Sequence, residues 1–151
     1  MEITLQNSLS LALDIDRFMR VIHASLHPKA EASDRQKVGP FGGMVLMTIA
    51  ETEPISIQAL TRQLARDKAQ MTRIIQLLEQ KELLVRKRSS EDGRVSLVSL
   101  TDEGQTLVDS FQDALADVVE ELLKGVSTEE RKRLSATLQK ILLNAGPVAD
   151  R

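Results

Sequence analysis

The chain has no cysteine, no tryptophan and no tyrosine, and three phenylalanines are its whole aromatic complement. Without cysteine it can form no disulfide, thiolate-held zinc site, thiol nucleophile or thiol redox sensor. Without aromatic platforms, the bases of a single-stranded nucleic acid would have almost nothing to stack on, which disfavours single-strand binding. Apolar runs are short: none approaches the roughly 18 residues of a membrane span. No charged-then-apolar leader opens the chain, so a soluble, cytoplasmic protein is expected. A glycine-rich phosphate loop and a His-x-x-x-His pair with a neighbouring Glu are also missing, and the expectation is a protein that is not an enzyme and needs no cofactor.

What is present suits one compact domain. The 151 residues are 42% hydrophobic and 28% charged, enough apolar content to bury an aliphatic core. The net charge of −2 hides a strong asymmetry. Residues 62–88 carry Arg62, Arg66, Lys68, Arg73, Lys81, Arg86, Lys87 and Arg88 against Asp67, Glu79 and Glu82, whereas residues 101–123 carry seven acids and no base. A basic middle precedes an acidic helix.

Apolar residues between Leu5 and Leu26 recur at helical spacing. Leu11, Ile15, Phe18, Ile22 and Leu26 form one stripe, and Leu5, Leu9, Ala12 and Met19 widen it, a surface that calls for a partner helix. The segment "HPKAEASDRQKVGPFGG", residues 27–43, reads as a long loop because of its prolines and glycines, and "MVLMTIAE" as a short buried helix. Ser56 is placed to cap a helix burying Leu60 and Leu64. After a turn near Arg66, Asp67 caps a second helix, with Gln70 completing a capping-box variant and Met71, Ile74, Ile75 and Leu78 facing inward. That leaves Lys68, Ala69, Gln70, Thr72, Arg73 and Gln76 outward, side chains suited to phosphates and base edges.

Two β-prone runs, "LLVRKRS" and "RVSLVSL", flank "SEDG" and predict a hairpin turned by Asp92-Gly93, with Arg94 opening the return strand and Val95, Leu97 and Leu100 alternating with residues free to face solvent, Val98 apart. Thr101 then caps a helix striped by Leu107, Phe111, Leu115, Val118 and Leu122, with Val108, Ala114, Val119 and Leu123 beside it. Ser127 and Glu130 form a capping box for a last helix, with Leu134, Leu138, Ile141 and Leu142 inward and Gly146-Pro147 as its end.

Helix, tight turn, helix and basic hairpin is the order of a winged helix-turn-helix, in which the second helix enters the major groove and the wing reaches the backbone or minor groove. Positive charge on the hairpin suits a duplex whose counterions are released on binding. The phrase "DGRVSLVSLTDEG", residues 92–104, and the run "MTRIIQLLEQKELLVR" before it resemble the MarR (multiple antibiotic resistance regulator) family of transcription factors. The resemblance implies a mainly α fold with a small β wing, made of a winged-helix lobe over about 44–104 and dimerisation helices over about 4–27 and 101–146. It further implies a homodimer that binds double-stranded, pseudo-palindromic DNA, acts as a repressor and is relieved by a small-molecule effector, with no membrane partner. Carried over by position, Lys68, Ala69, Gln70, Thr72, Arg73 and Gln76 would read the major groove, Arg94 the minor groove, and Arg86, Lys87 and Arg88 would lie near phosphates. The chain departs from the family pattern at Glu82, where glycine is usual. A left-handed backbone there would cost about 1 kcal/mol.

Two other readings stand beside this one. A basic hairpin can also guard a strand edge, or meet an acidic partner in a winged-helix protein-interaction module that binds no specific DNA. His23 and His27, one helical turn apart, could with Glu31 or Asp34 hold a metal. Pro28 places His27 at a helix end, however, and exposed helix-end histidines are the favoured reading.

Overall fold

The structure, a computed structural model, describes residues 2–145, with side chains described for 6–144. Six helices and three short strands follow in the order α1 (Glu2–Ser33), α2 (Gly39–Thr52), β1 (Ile55–Ser56), α3 (Ile57–Gln63), α4 (Lys68–Gln80), β2 (Leu84–Arg88), β3 (Ser96–Leu100), α5 (Asp102–Leu122) and α6 (Thr128–Ala145). The protein is thus mainly helical with a small antiparallel sheet, as the sequence predicts.

The expected 27–43 loop is the largest correction. α1 runs through Pro28 to Ser33, and only residues 34–38 connect it to α2. Proline deprives the Ala24 carbonyl of its helical donor, but Ala24 is exposed and water can take that place. At the other end, Gly39 adopts φ +75° and Pro40 sits in the first turn of α2, where its missing N–H costs nothing. The Asp34 carboxylate accepts hydrogen bonds from the Val38 and Gly39 amides at 2.9 and 2.8 Å, which fixes the connection. Gly42 and Gly43 are buried and bring α2 close to Val38 and to the Phe111 ring, so these glycines serve packing rather than a loop. His27 consequently lies inside a helix and not at its end.

Val45, Leu46 and Ile49 of α2, Leu60 of α3, Met71, Ile75 and Leu78 of α4, Leu83 and Leu84, Val98 of β3 and Val108 of α5 make one aliphatic core. The four residues expected inward on α4 are all buried, whereas Leu64 is only half-buried. The sheet has the order β1-β3-β2, with Ile55 opposite Val98 and Arg86 opposite Val98 on the other side. The two-residue strand β1 is too short to leave an alternation pattern in the sequence. It makes Val98, the exception to the expected alternation, the central β3 residue: Val98 is fully buried, while Val95, Leu97 and Leu100 are half-buried. Just before β1, the Glu53 carboxylate accepts a 2.6 Å hydrogen bond from the Leu100 amide.

α5 buries Gly104, Leu107, Val108 and Phe111 in this core and Ala114 and Val118 farther on, while Leu115, Val119 and Leu123 are half-buried and Leu122 is exposed. Ser127 and Glu130 form the expected capping box, the carboxylate accepting from the Ser127 amide at 2.9 Å and its hydroxyl at 2.7 Å. These bonds, the hydroxyl's first, hold the Glu130 carboxyl below its ordinary pKa. Arg131 pins the α5–α6 corner by donating to the Val126 and Leu123 carbonyls and to Glu120.

In the isolated chain the helices at both ends leave their apolar stripes uncovered. Leu11, Ile15 and Phe18 of α1 and Leu134, Leu138, Ile141 and Leu142 of α6 are exposed, along with Leu9, Leu13, Met19, Val21 and Leu143. Only the C-terminal third of α1, through half-buried Ile22, Leu26 and Ala30, shows burial against the body. The Leu5 side chain and the expected helix end at Gly146-Pro147 lie outside the described residues.

Candidate nucleic-acid interface

Helices α3 and α4 are each started by the side chain the sequence marks. Ser56 Oγ accepts from the Ala59 amide at 3.0 Å and Asp67 Oδ1 from the Gln70 amide at 2.9 Å. Among the described residues Gln70 makes no return hydrogen bond to Asp67, so only half of the expected capping box forms and the Gln70 side-chain carboxamide stays available. Between the helices Ala65 takes φ +48°, and the Arg66 amide bonds back to the Thr61 carbonyl at 3.3 Å, making the turn tight.

α4 has a sharply divided surface. Met71, Ile74, Ile75 and Leu78 are buried, and Lys68, Ala69, Gln70, Thr72, Arg73 and Gln76 are all exposed on the other side. The Thr72 hydroxyl donates to the Lys68 carbonyl at 2.8 Å and so presents its lone pairs outward. Beside this face a shallow groove of about 240 Å³ is lined by Phe41, Gln70, Arg73, Ile74 and Leu77.

At the end of α4, Glu82 adopts φ +58°, the left-handed conformation that glycine would take without strain. The strain is borne where the neighbouring backbone is tied down most firmly. Glu82 and Leu83 give their carbonyls to Thr101, which donates its hydroxyl to Glu82 at 2.6 Å and its amide to Leu83 at 3.1 Å. Thr101 Oγ1 also accepts from the Gly104 amide at 3.0 Å and so caps α5. Gly104 itself leaves no room for a side chain, since a Cβ would stand 2.0 Å from the Leu83 oxygen. Thr101 and Gly104 thus root the wing.

The wing tip is longer than the four-residue "SEDG" connection expected. Seven residues, 89–95, separate the strands, closed by Ser89 amide to Val95 carbonyl at 2.8 Å. Asp92 organises it by a side-chain turn, Oδ1 accepting from the Arg94 amide at 3.0 Å and its carbonyl from the Val95 amide at 2.9 Å. Arg94 therefore belongs to the turn and not to β3. Arg94 and Lys87 are exposed. Arg86 instead reaches back to α4 and pairs with Glu79 at 3.1 Å, while Arg88 donates to the Gly93 carbonyl at 3.3 Å. Of the residues carried by sequence, the α4 set is brought together on one face and the wing set is divided between free cations and wing braces.

Sequence reasoning missed Arg66. Its guanidinium lies over the Phe41 ring, 5.3 Å from the centroid, at the start of α4. No periodicity marks that contact, because it joins a turn to the first turn of a helix that reads as loop. Among the described residues no group of three His, Cys, Asp or Glu side chains could hold a metal, and no helix is long and apolar enough to cross a membrane.

A tight helix pair followed by a basic hairpin, whose strands join a short strand before the pair in one three-stranded sheet, defines a winged helix-turn-helix protein. The MarR family model matches residues 43–96, and the chain belongs to that family. It is 33% identical over 100 residues to the HTH-type transcriptional regulator YdgJ of Bacillus subtilis, covering 66% of this chain and 61% of that one. It is 31% identical over 99 residues to the organic hydroperoxide resistance transcriptional regulator of the same organism, covering 66% of each. The chain thus spans about two thirds or less of the curated relatives it matches first. Among solved structures it resembles MepR of S. aureus. For a variant from a multidrug-resistant clinical isolate the TM-score is 0.76 at 23% identity, covering 87% of this chain and 96% of that one. For a MepR–DNA complex the TM-score is 0.62 at 22% identity, covering 85% and 96%. The family and these relatives are regulators, which are not enzymes.

Proposed function

We propose that this protein is a sequence-specific, double-stranded DNA-binding transcriptional regulator that acts as a homodimer. The observation that carries the reading is the divided surface of α4. An apolar stripe anchors the helix, and the opposite face offers two cations, two amides, a hydroxyl and a methyl without one acid among them. Gln70, Arg73 and Gln76 have the reach and donor pattern for base edges, Ala69 suits a thymine methyl, Lys68 suits a phosphate, and Thr72, whose proton goes to the Lys68 carbonyl, can accept from a base amino group. Lys87 and Arg94 extend the positive surface along the wing, so that Arg94 meets the minor groove. Arg86 and Arg88 contribute charge near the backbone while bracing the wing on α4 and on its own tip.

The dimer reading rests on α1 and α6, whose exposed leucines, isoleucines and phenylalanine form an apolar surface too extensive for a solvated monomer. Two-fold pairing through these helices and α5 would set two α4 helices about one duplex turn apart, hence a pseudo-palindromic operator. This divides the chain into a DNA-binding lobe over about 44–104 and dimerisation helices at either end, working in the cytoplasm. A bound dimer would repress by occupying its operator. The cleft of about 450 Å³ between the end of α1 and α5, lined by Lys29, Ser33, Ser110, Asp113 and Asp117, offers room for a small-molecule effector. Any sensing here works without thiol oxidation, since the chain has no cysteine.

The test is selection of binding sites from random duplex DNA, followed by affinity for the winner and a scrambled duplex across a salt series. A palindromic winner preferred by about 10³ or more is the expected result. Absence of enrichment, with no salt-dependent affinity, would sink the reading in favour of protein contacts.

A further inference from the structure

We infer that Arg66, lying over the Phe41 ring, is a further DNA-contacting residue that clamps a backbone phosphate at the entrance to the α4 face. The inference rests on the DNA-binding reading above.

Three observations converge on Arg66. First, its place: it is the last residue of the turn before Asp67 caps α4, outside the stripe from Lys68 to Gln76 that would meet base edges. Second, its chemistry is unspent. The side chain is exposed, and among the described residues its guanidinium takes part in no ion pair or hydrogen bond, in contrast to Arg86, Arg88 and Arg131. Third, it is pre-positioned. The Phe41 ring under the guanidinium restricts a flexible side chain to one region while leaving the edge N–H groups free. Phe41 is held in turn by packing against the core, and its ring also walls the groove shared with Gln70 and Arg73.

A planar fork held over a ring that walls the groove of two base-reading side chains fits the tetrahedral oxygens of a phosphate, which it can engage with two parallel hydrogen bonds. A base edge is a poorer match, because the anchor on α2 keeps the group beside α4 rather than along its outward face. The ring partner has a further effect: the contact ties α2 to the start of α4, so that a phosphate bound there bears on both helices.

The experiment compares the full-length protein with R66A, R66K and F41L, on the duplex selected by the wild-type protein and on a scrambled duplex of equal length. Equal thermal midpoints for the Arg66 variants check that this exposed site leaves folding intact. R66A is expected to bind both duplexes about tenfold more weakly, with the slope of log K against log salt shallower by about one. R66K keeps the charge and the slope but loses the fork, and F41L keeps the charge but loosens it. Each should bind both duplexes a few-fold more weakly at unchanged slope. Normal binding by R66A would overturn the inference alone, as would a loss confined to the selected duplex, which would mean base reading. Wild-type protein that binds neither duplex would instead overturn the DNA-binding reading, and this inference with it.

Discussion

Replacing Gly104 by alanine adds a single methyl group at the point where α5 meets the strained end of α4. Its Cβ would stand 2.0 Å from the Leu83 carbonyl oxygen and 3.0 Å from its carbon, whereas ordinary contact begins near 3.4 Å. The obstacle is backbone, so no rotamer change relieves it, and α5 or the Leu83 peptide must move by about an ångström. Either movement stretches the 3.1 Å bond from the Thr101 amide to Leu83 and the 2.6 Å bond from its hydroxyl to Glu82. Overpacking costs about 1–3 kcal/mol and two weakened hydrogen bonds about 1 kcal/mol each. Alanine returns at most about 1 kcal/mol through its better helix propensity. The clash wins, with a net loss of about 2–4 kcal/mol and a thermal midpoint lowered by roughly 4–16 °C. The chain lacks Trp and Tyr, so far-UV circular dichroism is the assay of choice. Gly93→Ala is the control, since nothing lies within 4 Å of its Cβ position, and it should be neutral. A G104A protein as stable as wild type would refute the packing of α5 on the Leu83 carbonyl.

Other perturbations separate the roles assigned above. Arg94→Ala should weaken binding to all duplexes and flatten the salt slope, whereas Gln70→Ala or Arg73→Ala should also relax sequence preference; equal losses on every sequence would contradict base reading. Leu138→Asp lies on the exposed face of α6, so circular dichroism should stay unchanged while the sedimentation mass falls from dimer toward monomer; an unchanged dimer mass would remove α6 from the interface. The Glu130 carboxyl is held below its ordinary pKa by Ser127, so its capping contribution is present above the ordinary carboxylate pKa of about 4.3 and is lost as pH falls through the lower folded value. Glu130→Gln should abolish that part of the acid dependence, and an unaltered acid profile would show that the box is thermodynamically silent.

Much of the winged-helix lobe is legible because its determinants are local. Ser56, Asp67, Thr101 and Ser127 each sit three residues before the amide they cap, a spacing that a sequence displays openly. The buried stripe of α4 follows from the same regularity, and Glu82 stands out because a left-handed residue there would ordinarily be glycine. What escaped reading depends on partners distant in sequence. Gly42 and Gly43 look like part of a loop until Val38 and Ile74, and Phe111 of α5, are present to pack against. β1 exists only because β3 passes beside it, and Arg86 reads as a free cation until the fold brings Glu79 within 3.1 Å. Arg66 is of the same kind, since its ring partner lies 25 positions earlier.

α5 carries the deepest structural consequence of this arrangement, for it belongs to both halves of the chain. Its first turns are locked to the wing root by Gly104, Leu107 and Val108, and its later turns, through Ala114 and Val118, run beside the end of α1, where Lys29 approaches Asp117 at 3.9 Å. From Gly104 to Val118 is about 21 Å of continuous helix. Ser110, Asp113, Ala114 and Asp117 line the cleft on α1, on the same rod. At the wing root the missing Cβ of Gly104 leaves no slack against Leu83, and Leu84, the next residue, begins β2. A tilt of α5 imposed at the cleft therefore cannot be absorbed where the helix starts. It would strain the Thr101 bonds at the wing root, or the 2.9 Å bond from the Leu83 amide to the Leu78 carbonyl that ties Leu83 to α4.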